Sequence, residues 1–218
     1  MKAIIVDGGK ASRLGYMSPK GMVRVNGIPL AGYLIARLRD LGVMDVTLIV
    51  GEKSVAAYEE SEVGRNARIV IDSMMKGPLS ALDGVASEFS GEDVVITTGD
   101  AFFGSLGALR GCAPGHMVAL VDFARRGTLQ IHPERAGYRV VDKDVTPGSV
   151  SYASAIRVNK CNEFWDDVRD CAMLGGLSII EGLSSSSMTD VELRMVNSFW
   201  RNVNEPSDLE AVRSYLND

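Results

Sequence analysis

The chain has 218 residues, 46% of them hydrophobic, which is enough to bury the core of one sizeable domain. Its formal charge of −5 excludes a broad positive field, so a general binder of nucleic acid or anionic membrane is ruled out and any anion site must be local. Its three cysteines, Cys112, Cys161 and Cys171, form no C-x-x-C pair, which argues against a disulfide framework or a zinc site.

Ala3 to Val6 reads as a first, short apolar strand. It opens into a loop rich in Gly, Ser and basic residues, "DGGKASRLGYMSPKGMVRVNG", and the next apolar segment begins only at Ile28. Strand-to-helix connections usually take about 2 to 6 residues, so a loop this long is either functional or disordered. Gly8 and Gly9 permit backbone conformations that aim successive amides at one oxygen cluster. Ser12 adds a hydroxyl donor, while Lys10, Arg13 and Lys20 bring charge, Arg13 in a form suited to bidentate phosphate contacts. A solvated loop whose basic residues pair with surface acids has the same composition. Two other phosphate loops are excluded by spacing: no Lys-Ser/Thr pair follows Gly15, and the three-glycine dinucleotide fingerprint is absent.

Pro29 to Leu38 predicts a helix that ends near Gly42. Strands follow at Val46 to Val50, Ile69 to Ile71 and Val94 to Thr98, with helices over Ser54 to Val63 and Pro78 to Phe89. This alternation, with strands apolar throughout, predicts an α/β fold with a mostly parallel central sheet and helices on both faces. Ligands of such sheets sit beyond the carboxyl ends of the strands, which sets the opening loop, residues 72–82 and residues 97–104 along one rim. On that rim, Lys76-Gly77-Pro78-Leu79 is either a helix start offering amides to a base or phosphate, or a plain loop. Asp100, after Gly99, is either a Mg²⁺ ligand or a turn residue capping a helix from Ser105.

Beyond Gly104, strands are predicted at His116 to Phe123, Thr128 to Ile131, Tyr138 to Val141 and Val150 to Val158, with the alternation of a half-buried sheet. A helix over Asn162 to Leu174 gathers Phe164, Trp165, Val168, Cys171 and Ala172 near one face. Ser184 to Ser187 form a polar turn, Val191 to Val196 a strand, residues 200–208 a turn, and the last helix starts with a Ser207/Glu210 capping spacing. Asn202 and Asn204 supply neutral oxygens suited to a cation or a sugar hydroxyl, or serve as turn residues before Pro206. His116 and His132 lie away from the rim and read as structural. Without a Ser/His/Asp set or a nucleophilic cysteine, covalent catalysis is disfavoured, whereas displacement on phosphorus needs only positioning, cations and a metal. No segment reads as a signal peptide or a membrane span, and the expected location is the cytoplasm.

In their order, the motifs "DGGKASRLG", "SPKGMVRVNGIPL", "KGPLSAL", "GDAFF" and "NVNEPSDL" resemble the nucleotidyltransferase superfamily with a glycosyltransferase A-like fold. That group includes molybdenum cofactor guanylyltransferase, adenosylcobinamide-phosphate guanylyltransferase and small sugar- or polyol-phosphate cytidylyltransferases. The resemblance is specific in residues 1–45 and thin from about 105 to 190. It implies a Rossmann-like three-layer sandwich, with residues 1–104 as the nucleotide-binding half and 105–218 as the acceptor half. It further implies that Gly8, Gly9 and Arg13, helped by Lys10 and Ser12, hold the nucleotide phosphates. Lys20 would stabilise charge developing at the α-phosphorus, Asp100 and Asn204 would hold Mg²⁺, and Lys76, Gly77, Pro78 and Leu79 would lie near the base. The implied reaction is attack by an acceptor phosphate on the α-phosphorus of a nucleoside triphosphate, releasing pyrophosphate. The short chain favours GTP or CTP as donor, in a monomer or homodimer.

Two positions depart from the pattern: Asp7 stands where Ala is usual, and Ala11 replaces a Gly. Two like charges about 4 Å apart repel by roughly 4 kcal/mol at an effective dielectric near 20, so an ionised Asp7 aimed at a triphosphate would oppose its binding. Asp7 therefore points away, pairs with a base such as Lys10, binds metal, or compromises activity. A glycosyltransferase on the same fold is the rival enzyme class, although "GDAFF" has one carboxylate where a D-x-D motif has two; a non-catalytic nucleotide-binding relative is the other alternative.

Overall fold

The computed structural model describes residues 1–9, 11–16, 18–123, 130–134, 137–141, 147–173, 179 and 191–218. Lys10, the Ser184 to Ser187 turn, and the first two residues of the strand expected at Thr128 lie outside the described residues. Strand β1 (Lys2–Asp7) enters the long loop, which carries two single-turn 3-10 helices (Ser12–Leu14 and Lys20–Met22) and the hairpin β2 (Arg24–Val25)–β3 (Ile28–Pro29). Then come α1 (Leu30–Asp40), β4 (Asp45–Gly51), α2 (Val55–Glu59), α3 (Glu62–Arg65), β5 (Arg68–Asp72), α4 (Pro78–Asp83), α5 (Ala86–Phe89), β6 (Asp93–Thr98) and β7 (Ala101–Phe103). The second half holds β8 (His116–Phe123), β9 (Gln130–Glu134), β10 (Gly137–Val141), β11 (Val150–Asn159), α6 (Asn162–Met173), β12 (Val191–Met195), β13 (Trp200–Asn202) and α7 (Pro206–Asn217). No helix among the described residues is long and apolar enough to cross a membrane.

The central sheet runs β5-β4-β1-β6-β11-β8-β12, parallel from β5 to β6, with β11 antiparallel to both β6 and β8. The antiparallel pair β9–β10 joins it through the first residues of β11. A register shift in β11 between Tyr152 and Ile156, with Ser154 at φ 55°, lets one strand pair with β9 early and with β6 late. This is the expected α/β class: helices cover both faces because β1, β4 and β6 are apolar on both.

Helix α1 follows its apolar spacing, burying Leu30, Ala31, Leu34, Ile35 and Leu38, and the chain leaves it at Gly42, φ 96°. Two other predicted helices are each broken in two. Ser61 caps α3 through its own hydroxyl, which accepts from the Gly64 N–H at 3.2 Å, and so interrupts the span from Ser54. Gly84-Val85 interrupts the other, between α4 and α5.

The half-buried reading of the second sheet half is corrected: β8 is buried along His116–Phe123 except at its two ends, and β11 is almost wholly buried. Phe164 and Trp165 of α6 pack in one cluster with Met117, Ala119, Val121, Ile156 and Val158, while Phe103, Leu106, Leu109 and Trp200 cover the opposite face. The turn expected over residues 200–208 is also corrected: its first three residues, 200–202, pair antiparallel with residues 101–103 as β13 and β7. Ser105 starts no helix beyond the single turn Gly107–Leu109. Finally, α7 is capped by Glu205 and Asp208 in a reciprocal box, not by Ser207 and Glu210.

Candidate active site

The opening loop is folded by contacts of its own. Lys20 N–H donates to Gly9 O at 3.2 Å, Ala11 N–H to Ser18 O at 3.2 Å, and Leu14 N–H to Ala11 O at 2.9 Å. Ala11 and Leu14 are buried with Val23, Val25, Leu30, Phe102, Val203, Leu209 and Val212, so the loop has an apolar anchor against α7. Ala11 has φ −84°, a negative value that does not demand glycine. Neither Gly8 nor Gly9 has a positive φ; within the described loop that conformation falls at Gly15 (75°) and at Asn26 and Gly27 of the hairpin turn. Gly9 lies beside Lys20: a Cβ there would meet Lys20 Cδ at 3.4 Å, an ordinary van der Waals contact.

Three of the candidate site side chains come together. Lys20 Nζ donates to Asp100 Oδ2 at 2.8 Å and to Asn204 Oδ1 at 2.5 Å. The Lys20 and Asp100 side chains are only 18% and 17% exposed, so the pair is shielded from bulk solvent. Asp100 and Asn204 are neighbours because β7 pairs with β13: the Val203 N–H donates to Asp100 O at 2.8 Å, fixing one end of each strand beside the other. Asn204 is held from behind as well, its N–H donating to Asp208 Oδ2 at 3.0 Å. Two oxygen donors thus converge on one point, and a cation, the Lys20 ammonium, sits there.

Asp7 ends β1 beside this group and is 3% exposed. Its Oδ2 accepts the Gly21 N–H at 2.9 Å and the Tyr58 hydroxyl. Burial pushes its carboxyl up to about 6, against the pull of those two donors, and burial likewise raises the Tyr58 phenol. Neighbouring backbone is fitted around it: a Cβ on Gly99 would lie 2.6 Å from Asp7 Cβ, and one on Gly21 would lie 2.8 Å from Asp7 Oδ2.

These groups border a cavity of about 310 Å³ lined by Val6 to Gly9, Lys20, Asp72, Met75, Gly77, Pro78, Thr98 and Asp100. Gly8, Gly9, Lys20, Gly77, Pro78 and Asp100 are therefore brought together. Ser12, Arg13 and Lys76 are exposed outside that lining, and the Leu79 side chain is fully buried in the core. The sequence reading set Asp72, Met75 and Thr98 on the rim without singling them out, and it missed Tyr58. Asp72 and Thr98 sit at the ends of β5 and β6, where the strand-end rule points. Tyr58, inside a helix 51 positions after Asp7, carried no local signal. No group of three or more His, Cys, Asp or Glu suited to a metal occurs among the described residues. A single carboxylate with an amide oxygen still fits Mg²⁺, which takes oxygen ligands and relies on substrate phosphates for others. Burial raises the thiols of Cys112 and Cys161, which keeps them un-ionised.

The sequence profile of the MobA-like NTP transferase domain matches residues 3–136. A bifunctional sugar-1-phosphate nucleotidylyltransferase/acetyltransferase of Sulfurisphaera tokodaii is 23% identical over 233 residues, an alignment covering 100% of this chain and 56% of that protein. The chain spans about half the length of the curated relatives it matches. The fold is shared with the CTP:phosphocholine cytidylyltransferase of Streptococcus pneumoniae, with a TM-score of 0.76 at 16% identity over 99% of this chain and 98% of that one. It is shared equally with the inositol-1-phosphate CTP transferase of T. maritima, with a TM-score of 0.77 at 16% identity, covering 99% and 94%. With its profile matched from β1 through β9, the chain belongs to the MobA-like NTP transferase domain family.

Proposed function

We propose that this protein transfers a nucleoside monophosphate from a nucleoside triphosphate to a phosphorylated small-molecule acceptor, releasing pyrophosphate. The observation that carries this reading is the junction of Lys20 with both Asp100 and Asn204 at the edge of a cavity walled by Gly8 and Gly9. Family membership and relatives named for sugar-1-phosphate and polyol-phosphate substrates support it.

In the proposed reaction an acceptor phosphate oxygen forms a bond to the α-phosphorus as the bond from that phosphorus to the bridging oxygen of pyrophosphate breaks. Gly8 and Gly9 let the backbone approach the triphosphate. Lys20 turns from its two oxygen partners to a phosphate oxygen and stabilises the charge that develops there. Asp100 and Asn204 would hold Mg²⁺, which when bound neutralises phosphate charge and orients the reacting oxygens. Arg13, at the loop surface, would close on the outer phosphates, joined by Ser12 and Lys10.

Residues 1–104 would then serve the nucleotide and 105–218 the acceptor. Of the donors, GTP or CTP is our reading, and Asp72 on the cavity wall favours GTP: guanine offers adjacent N1–H and N2–H donors to a carboxylate, whereas cytosine offers only its N4 amine. The test is incubation with Mg²⁺, each of the four common nucleoside triphosphates and a panel of phosphorylated sugars, polyols and amino alcohols, reading pyrophosphate. Turnover with one donor is expected; no turnover, with no nucleotide binding by calorimetry, overturns the proposal.

A further inference from the structure

We infer that Asp7 is a positioning residue, which locks the turn carrying Lys20 against the strand end carrying Asp100; the functional consequence rests on the transfer reading above. Its carboxylate has no route to the role of a surface ion, being 3% exposed and joined at Oδ2 to the Gly21 N–H and the Tyr58 hydroxyl. Gly21 directly follows Lys20, so this hydrogen bond fixes the peptide from which the Lys20 side chain departs. On its other side the Asp7 side chain fills the space that a Cβ on Gly99 would take, and Gly99 directly precedes Asp100. One buried group therefore touches the backbone neighbour of each partner in the Lys20–Asp100 pair, and Tyr58 holds it from α2 beneath. An acceptor atom suffices for this role; negative charge is not required, because both contacts to Oδ2 come from neutral donors.

The test compares Asp7→Asn, which keeps an acceptor, with Asp7→Ala and with Asp7→Ser, whose hydroxyl is too short to reach Gly21. Circular dichroism first establishes that each is folded, and Asp7→Ser serves if Asp7→Ala is not. Trace acetic anhydride labelling with mass spectrometry then reads the reactivity of the Lys20 amine without reference to turnover. Several-fold faster labelling in the Ala and Ser variants is expected, with Asn restored to the wild-type rate. In the enzyme assay kcat falls about 10- to 100-fold in Ala and Ser, as expected for a misplacement of about 1 Å, while KM for the triphosphate moves less. On a Lys20→Ala background Asp7→Ala brings no additional loss. Wild-type labelling rates in Ala and Ser, an Asn variant as impaired as Ala, or fully additive losses would each overturn the inference. A wild-type protein without turnover removes the transfer reading but leaves the labelling comparison decisive for the positioning.

Discussion

Asn204 accepts a hydrogen bond from Lys20 at 2.5 Å although 184 positions separate them in the chain. The contact exists because β13 lies antiparallel to β7, which sets Asn204 beside Asp100 and leaves both oxygens facing the same ammonium.

Removing that ammonium tests the central assignment. Lys20→Ala is expected to lower kcat about 10²- to 10³-fold, the range for losing one donor that stabilises transition-state charge, with the fold retained. Pyrophosphate release under saturating substrates checks it, and a kcat within twofold of wild type would remove Lys20 from the chemistry.

A second expectation concerns metal. If Asp100 and Asn204 hold the metal, Lys20 and a divalent cation would compete for the same two oxygens, so Mn²⁺ binding to the nucleotide-free protein is expected to be weak in wild type and tighter in Lys20→Met, as read by paramagnetic resonance of free Mn²⁺. Asp100→Asn added to Lys20→Met abolishes the gain. Turnover stops on chelation and returns with Mg²⁺. Equal Mn²⁺ affinity in wild type and Lys20→Met would show that the oxygens hold no metal.

The buried carboxyl of Asp7 predicts a pH dependence of stability. Its folded value of about 6 lies above the ordinary 3.8, so the folded state holds the proton more tightly than the unfolded chain. Its contribution is therefore fully present below about pH 4 and is lost as pH rises through about 6. At roughly 1.4 kcal/mol per unit, the loss is about 3 kcal/mol. Asp7→Asn cannot ionise, so its stability relative to wild type should rise by about 2 kcal/mol between pH 4.5 and 7.5 in urea unfolding, the remainder of the loss falling below that window. A constant difference across the range would contradict a raised Asp7.

Packing around the same group makes Gly99 sensitive. Gly99→Ala sets a methyl 2.6 Å from Asp7 Cβ and is expected to cost about 1 to 3 kcal/mol, because close-packed neighbours must shift. Urea midpoints measure this. Gly27→Ala, at φ 82° with nothing near its Cβ, separates a backbone cost from this crowding cost.

The carboxylate on the cavity wall addresses the donor. Asp72 Oδ1 accepts the N–H groups of Met74 and Met75, both at 3.0 Å, which steadies its side chain. Asp72→Asn should reduce kcat/KM for GTP about tenfold or more, the effect of losing a charge-assisted hydrogen bond, and should leave the weaker triphosphates nearly unchanged. A uniform fall across all four donors would place Asp72 outside base recognition.

What the amino-acid sequence determined by itself was local and periodic. Continuous apolar runs at β1, β4 and β6 required two covered faces, the spacing of Leu30, Leu34 and Leu38 required α1, and the strand-end rule put Lys20 and Asp100 on one rim. Pairings between distant segments had no such signal. Strands β7 and β13 are three residues each, too short for a period, and only their mutual hydrogen bonds make them strands. The same holds for Asp7. Its letter announced a charge beside a phosphate loop, but whether that charge faced the loop depended on a hydroxyl and an amide supplied by Tyr58 and Gly21. Tertiary structure decided it, because a buried carboxylate goes where donors meet it.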